Sequence, residues 1–213
     1  QTPKICLEAV ERDWLSLKYV KNQTDELCWV ALRSSGMALA FIENQTEEMC
    51  IHAINDIHWI LKYVQNQTEK ICMEAVKLDG YVLRYVNEQT DAICLAAVKN
   101  GGSALHYVDK QTPEICMAAV GQYGMALQYV YEQTEEICLE AIKQDCWAIQ
   151  LVTNQTPELC LEAVRKNGKV IQCIQNQTHE ICLNAIEQDP RALRWINDHT
   201  PELCMKAVKK DGT

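Results

Sequence analysis

The chain has 213 residues, 48% apolar and 23% charged, a balance that belongs to a folded protein and excludes a disordered segment. A net charge of −9 argues against nucleic acid and anionic membranes as partners, because phosphates are held by basic surfaces. Apolar runs such as Ile93 to Val98 fall far short of the roughly 18 residues of a membrane span, and Gln1-Thr2-Pro3-Lys4 does not have a signal-peptide pattern.

The first predicted element begins at Gln1-Thr2-Pro3. Gln-Thr then recurs at 23, 45, 67, 89, 111, 133, 155 and 177, and His199-Thr200 continues the series. The spacing is 22 residues each time, so the chain is expected to be one tandem array over 1–213 with the last unit cut short at Thr213. The sequence does not start with Met, and neither end carries a polar capping repeat, so the array is expected to be part of a longer chain. Numbering each unit from its Gln, the consensus is approximately Q-T-P/E-E-I-C-L-E-A-V-K-Q-D-G-x-A-L-x-Y-V-x-N.

Within each unit, Thr in column 2 is the expected N-cap of a helix of about ten residues. Pro in column 3 (Pro3, Pro113, Pro157, Pro201) suits its first turn. Acids in columns 3 and 4 and bases such as Lys77 and Arg165 in the last turn match the helix dipole. Gly in column 14 (for example Gly36, Gly80, Gly124, Gly212) reads as the helix stop. A second helix of about seven residues follows, as in Tyr81 to Val86. Columns 5, 6, 7, 9 and 10 are apolar, so neighbouring units must cover the first helix, and the unvarying Ala of column 9 points to close helix approach. The expected fold is all-α: an α-solenoid, or superhelix, of ten stacked units of two short helices each.

Ten of the twelve cysteines share column 6, from Cys6 to Cys204, and only Cys146 and Cys173 lie elsewhere. Successive columns should stand ~9–10 Å apart, beyond the roughly 7 Å Cα limit of a disulfide. No C-x-x-C pair exists for zinc. These residues read as small buried hydrophobes in a reducing compartment, the cytosol. The Asn-Gln-Thr sequons at Asn22, Asn44, Asn66, Asn154 and Asn176 come from the repeat junction, where Thr already has a capping role.

No phosphate loop, nucleophile elbow or acid–base pair is legible, so no enzyme, cofactor or metal is expected. Columns 4, 8, 11, 12, 15, 18 and 21 vary and are expected to face water, where repeat proteins place recognition. Trp29, Val30, His52, Ile57, His58 and Trp59 break the consensus together, and Trp29, Val30, His52, His58 and Trp59 are the candidate partner-binding residues. A second candidate is the shallow stretch Ala92, Ala96, Ala118 and Gly121. The expected function is a cytosolic scaffold for a protein partner. The alternative is a structural component of a larger particle, packing laterally through the array.

The unit Q-T-x-E-I-C-L-x-A-V-x-x-x-G-x-A-L-x-Y-V, as at 67–86 and 111–130, resembles the tandem repeats of domain of unknown function 4116. Trp14, His58, Cys146 and Pro190 depart from the Gly, and Leu151, Cys173 and Trp195 from the Tyr. The resemblance extends over the whole chain and brings no catalytic residue. It implies an interaction protein of the kind found in amoeba-associated bacteria, giant viruses and some protists, with a host-directed effector acting in host cytosol after secretion as one form.

Overall fold

A computed structural model describes residues 2–211; the repeat marker Gln1, the expected stop Gly212 and Thr213 lie outside them. The described residues are helical without strands, and they form two compact units, Gln1–Asp109 and Lys110–Thr213. In the first, α1 (Pro3–Arg12), α2 (Asp25–Ser34), α3 (Glu47–Asp56), α4 (Glu69–Leu78) and α5 (Asp91–Asn100) stack in order. In the second, α6 (Pro113–Gln122), α7 (Glu135–Gln144), α8 (Pro157–Lys166), α9 (His179–Gln188) and α10 (Pro201–Asp211) do the same. Each unit is thus an all-α repeat stack of the solenoid kind, in which a helix pair packs only on its sequence neighbours.

The α helices start where the caps require. Thr24 Oγ1 accepts from Leu27 N–H at 3.4 Å, and Thr46 and Thr68 do the same for Met49 and Ile71. They end at an extended residue in column 13, whose N–H returns to the column 9 carbonyl, as from Asp79 to Ala75 at 3.1 Å. The second element is a six-residue 3-10 helix, not a seven-residue α-helix: Trp14–Tyr19, Gly36–Phe41, His58–Tyr63, Gly80–Tyr85 and Gly102–Tyr107 in the first unit. The second unit has Gly124–Tyr129, Cys146–Leu151, Gly168–Cys173 and Pro190–Trp195. A 3-10 helix rises about 2.0 Å per residue against 1.5 Å in an α-helix, so it carries the chain further back toward the start of the next unit in few residues. Column 13 caps it: the side chains of Asp79, Asp145 and Asn167 accept from the N–H groups of Tyr81, Trp147 and Lys169 at 2.9–3.0 Å.

The core is made of columns 5, 6, 9 and 10 of the α-helix and 16, 17 and 20 of the return. At 100° per residue the four helical columns share one face, while column 7 falls on its flank. Column 7 is accordingly half-buried rather than core, as at Leu7, Trp29, Ile51 and Met73. The end repeats show which column meets which neighbour. Ile5 of the first α-helix is 63% exposed where Ile71 is 1%, so column 5 packs on the preceding repeat. Val208 of α10 is 54% exposed where Val76 is 0%, so column 10 packs on the following one.

Column 14 has a different role from the expected helix stop. No left-handed φ occurs at the described glycines, and Gly in column 14 is the first residue of the 3-10 helix. Its hydrogen faces the column 9 carbonyl of the next repeat. A Cβ on Gly124 would stand 2.5 Å from Ala141 O, and one on Gly80 or Gly168 would press still closer on Ala97 O or Ala185 O. Gly and the fully buried Ala of column 9 are therefore two sides of one close approach between repeats.

Candidate interaction surfaces

Two sets of hydrogen bonds join neighbouring repeats, the second of them at three junctions. The first belongs to the Gln of column 1, half-buried between two repeats. Gln67 Nε2 donates to Leu61 O of the preceding repeat (3.1 Å) and to Tyr85 O of its own (2.8 Å). Its Oε1 accepts from Asn87 N–H at 2.9 Å and from the Cys72 thiol at 3.7 Å. Gln45 repeats the set with Leu39, Tyr63, Gln65 and Cys50. One amide thus closes the junction, and His199 replaces it with Nε2 at 3.0 Å from Leu193 O. The column 6 cysteine is therefore more than a small hydrophobe: its thiol points at this amide.

The second ladder comes from column 12. Gly36 N–H donates to Asp56 Oδ2 (2.7 Å), Gly80 N–H to Asn100 Oδ1 (3.2 Å) and Gly124 N–H to Gln144 Oε1 (2.6 Å). Asn100 Nδ2 also donates to Lys77 O at 2.6 Å. Column 12 does face water, yet at these three positions it ties the end of one α-helix to the preceding repeat. Asp56, Asn100 and Gln144 differ as residues yet each presents an oxygen to the same N–H.

All twelve cysteines are free thiols. Burial pushes Cys50, Cys94 and Cys160 up to about 11, with nearby carboxylates such as Glu47 and Asp91 adding to the first two. The folded thiol therefore holds its proton more firmly than the unfolded one. The stability this contributes is complete below the unfolded value near 9 and is lost as pH climbs toward 11. The melting temperature is expected to fall across that window, and replacing Cys50, Cys94 and Cys160 together by alanine should flatten the fall, as calorimetry against pH would show.

Of the candidate residues, Trp29 and His52 come together. Column 7 of α2 meets column 8 of α3, the rings edge to face with centroids 5.4 Å apart, and half-buried Val30 lies beside Trp29 in sequence. His58 and Trp59 lie on the return helix instead. His58 Nε2 is 3.5 Å from Asp79 Oδ2, and Trp59, 36% exposed, lies under Lys62 Nζ at 4.7 Å. Among the described residues no ring contact joins the two groups. Ala92 and Gly121 are exposed and Ala96 and Ala118 half-buried. The depression beside Gln111, Cys116 and Tyr131 holds only about 180 Å³, less than the 300–1,000 Å³ usual for a small-molecule site.

The sequence reading missed a charge pattern because it summed over the whole chain. Among the described residues, the nine 3-10 helices carry Lys18, Lys62, Arg84, Lys169, Arg191 and Arg194, and not one carboxylate. In the first unit these cations sit among rings. Lys62 Nζ is 4.7 Å from the centroids of both Trp59 and Tyr63, and Arg84 Cζ is 4.9 Å from Tyr85 and 5.7 Å from Tyr107. Tyr81 meets Tyr107 edge to face at 6.1 Å. The signal that could have shown it is a column spacing: a cation in column 18 between aromatics in columns 15 and 19.

Among the described residues no helix is long and apolar enough to cross a membrane, and no three His, Cys, Asp or Glu side chains group as metal ligands. No curated protein and no solved structure matches the chain. A family model does match, over residues 92–134, 113–156, 134–178 and 156–200, in overlapping windows of close to two repeats each. The chain therefore belongs to the family described as domain of unknown function (DUF4116).

Proposed function

We propose that the chain is a non-catalytic scaffold that binds a protein partner through side chains varied from repeat to repeat. The observation that carries this reading is the division of labour among columns. Gln, Ala and Gly are engaged in holding one repeat on the next, Thr caps its own helix and Cys turns its thiol to the Gln, while half-buried Trp29 in column 7 and exposed His52 in the varied column 8 form an aromatic contact. A host-directed role in a reducing compartment, where free thiols persist, belongs to this reading. No cofactor enters this reading. Affinity capture with the full chain tests it, with the Trp29→Ala, His52→Ala and Trp59→Ala variants as comparison. Retention of one partner that the variants lose supports the scaffold and this location. Undiminished capture removes the location, and capture of nothing removes the scaffold. A chain that self-associates on sedimentation at high concentration would point instead to a laterally packed structural component.

A further inference from the structure

We propose that the 3-10 side of the first unit, centred on Lys62 and Arg84, is a docking face for an acidic segment of the protein partner; this rests on the scaffold reading and names its partner's chemistry. Three observations carry it. The first is charge: in a protein of net charge −9, the columns of the 3-10 helices contain cations and no acid, so the carboxylates are confined to the other columns. The second is the lack of a counter-charge. Among the described residues, Lys70, Lys77, Lys169 and Lys206 pair with carboxylates, whereas no carboxylate lies within ion-pair distance of Lys18, Lys62 or Arg84. The third is placement. Lys62 and Arg84 are held over rings in neighbouring repeats, with exposed Trp59, Tyr63 and Tyr81 around them at 36%, 40% and 45%. Exposed His106 stands 4.9 Å from the Tyr107 ring on the same row.

Cations fixed over aromatic faces lose little freedom when an anion arrives, and the rings offer apolar area beside each charge. Carboxylates interleaved with apolar side chains match that layout. A phosphate chain matches it less well, because it needs a denser row of cations and would approach a chain whose remaining surface is acidic.

The test is titration of the full chain with a synthetic peptide of glutamates interleaved with phenylalanines, followed by anisotropy of a label on the peptide. The same peptide with glutamines, and a single-stranded oligouridylate, are run in parallel. The Lys62→Gln/Arg84→Gln double variant is compared with Lys77→Gln/Lys99→Gln, which removes two cations from the α helices. Circular dichroism confirms that both remain folded. The acidic peptide is expected to bind in a salt-sensitive way, at least about tenfold more tightly than the glutamine peptide. The double variant is expected to lose about tenfold and the α-helix variant to stay within about twofold. Absence of binding, equal loss in both variants, or preference for the oligouridylate overturns the proposal. If the captured partner still binds the Lys62→Gln/Arg84→Gln variant, the scaffold stands and this face is wrong.

Discussion

Replacing Gln67 by leucine is expected to lower stability by about 2–3 kcal/mol, the largest effect of any polar substitution in the array. The volume barely changes, so the loss comes from unmade hydrogen bonds. Leu61 O and Tyr85 O lose a shared donor, and Asn87 N–H and the Cys72 thiol lose a shared acceptor. Water can reach Asn87, which is exposed, and this keeps the cost from rising further. Gln67→His should lose less, because His199 keeps the bond to the preceding repeat, at Leu193 O. Urea unfolding gives the magnitude, and amide exchange at Asn87 tells whether the junction has opened. A leucine variant as stable as the parent would show that the ladder is incidental.

Gly168→Ala is expected to cost about 2 kcal/mol, although alanine is the better helix former. Its Cβ would collide with Ala185 O and stand 3.1 Å from Asp189 N, both backbone atoms that no rotamer change can move. The repeats must separate, which loosens the packing of α8 on α9. The repeats that carry Trp14, His58, Cys146 or Pro190 in this column show that a junction can be built around a side chain, so the cost belongs to a junction that is formed on Gly. Gly101→Ala is the control. Nothing lies within 4 Å of a Cβ there, so the substitution should be neutral or stabilising by under about 1 kcal/mol. Thermal melts of the two variants decide the matter, and equal midpoints would refute the contact.

Much of the fold is legible in the sequence because the period repeats every local signal. Thr in column 2 predicts each helix start, and the Thr24, Thr46 and Thr68 hydroxyls make the expected bonds. What the sequence hid depends on the neighbouring repeat. Gln67 is no more than the marker of its repeat until Leu61 and Tyr85 stand on either side of it. Gly80 reads as a stop because nothing in one unit shows that Ala97 O will press against it. The candidate residues suffered from the same blindness. Trp29 and His52 sit 23 positions apart and touch, because that separation is one period plus one residue. Trp59 is nearer to His52 in sequence and lies on the return helix, with Lys62 as its partner. Net charge concealed the Lys62 and Arg84 row, since a sum over residues erases where the signs are placed.

The column 1 amide has a consequence for the gene. Every bond it makes runs to the preceding repeat or to its own, at sequence separations of 5, 6, 18 or 20. Nothing in such a junction records which ordinal position it occupies. Unequal crossover that removes or duplicates a multiple of 22 codons therefore delivers a chain whose new seam can be sealed by the same amide, while any other length leaves it without its carbonyls. The coding sequence is a ruler that can be cut only at its own graduations, and the number of repeats is free to drift while their length is not.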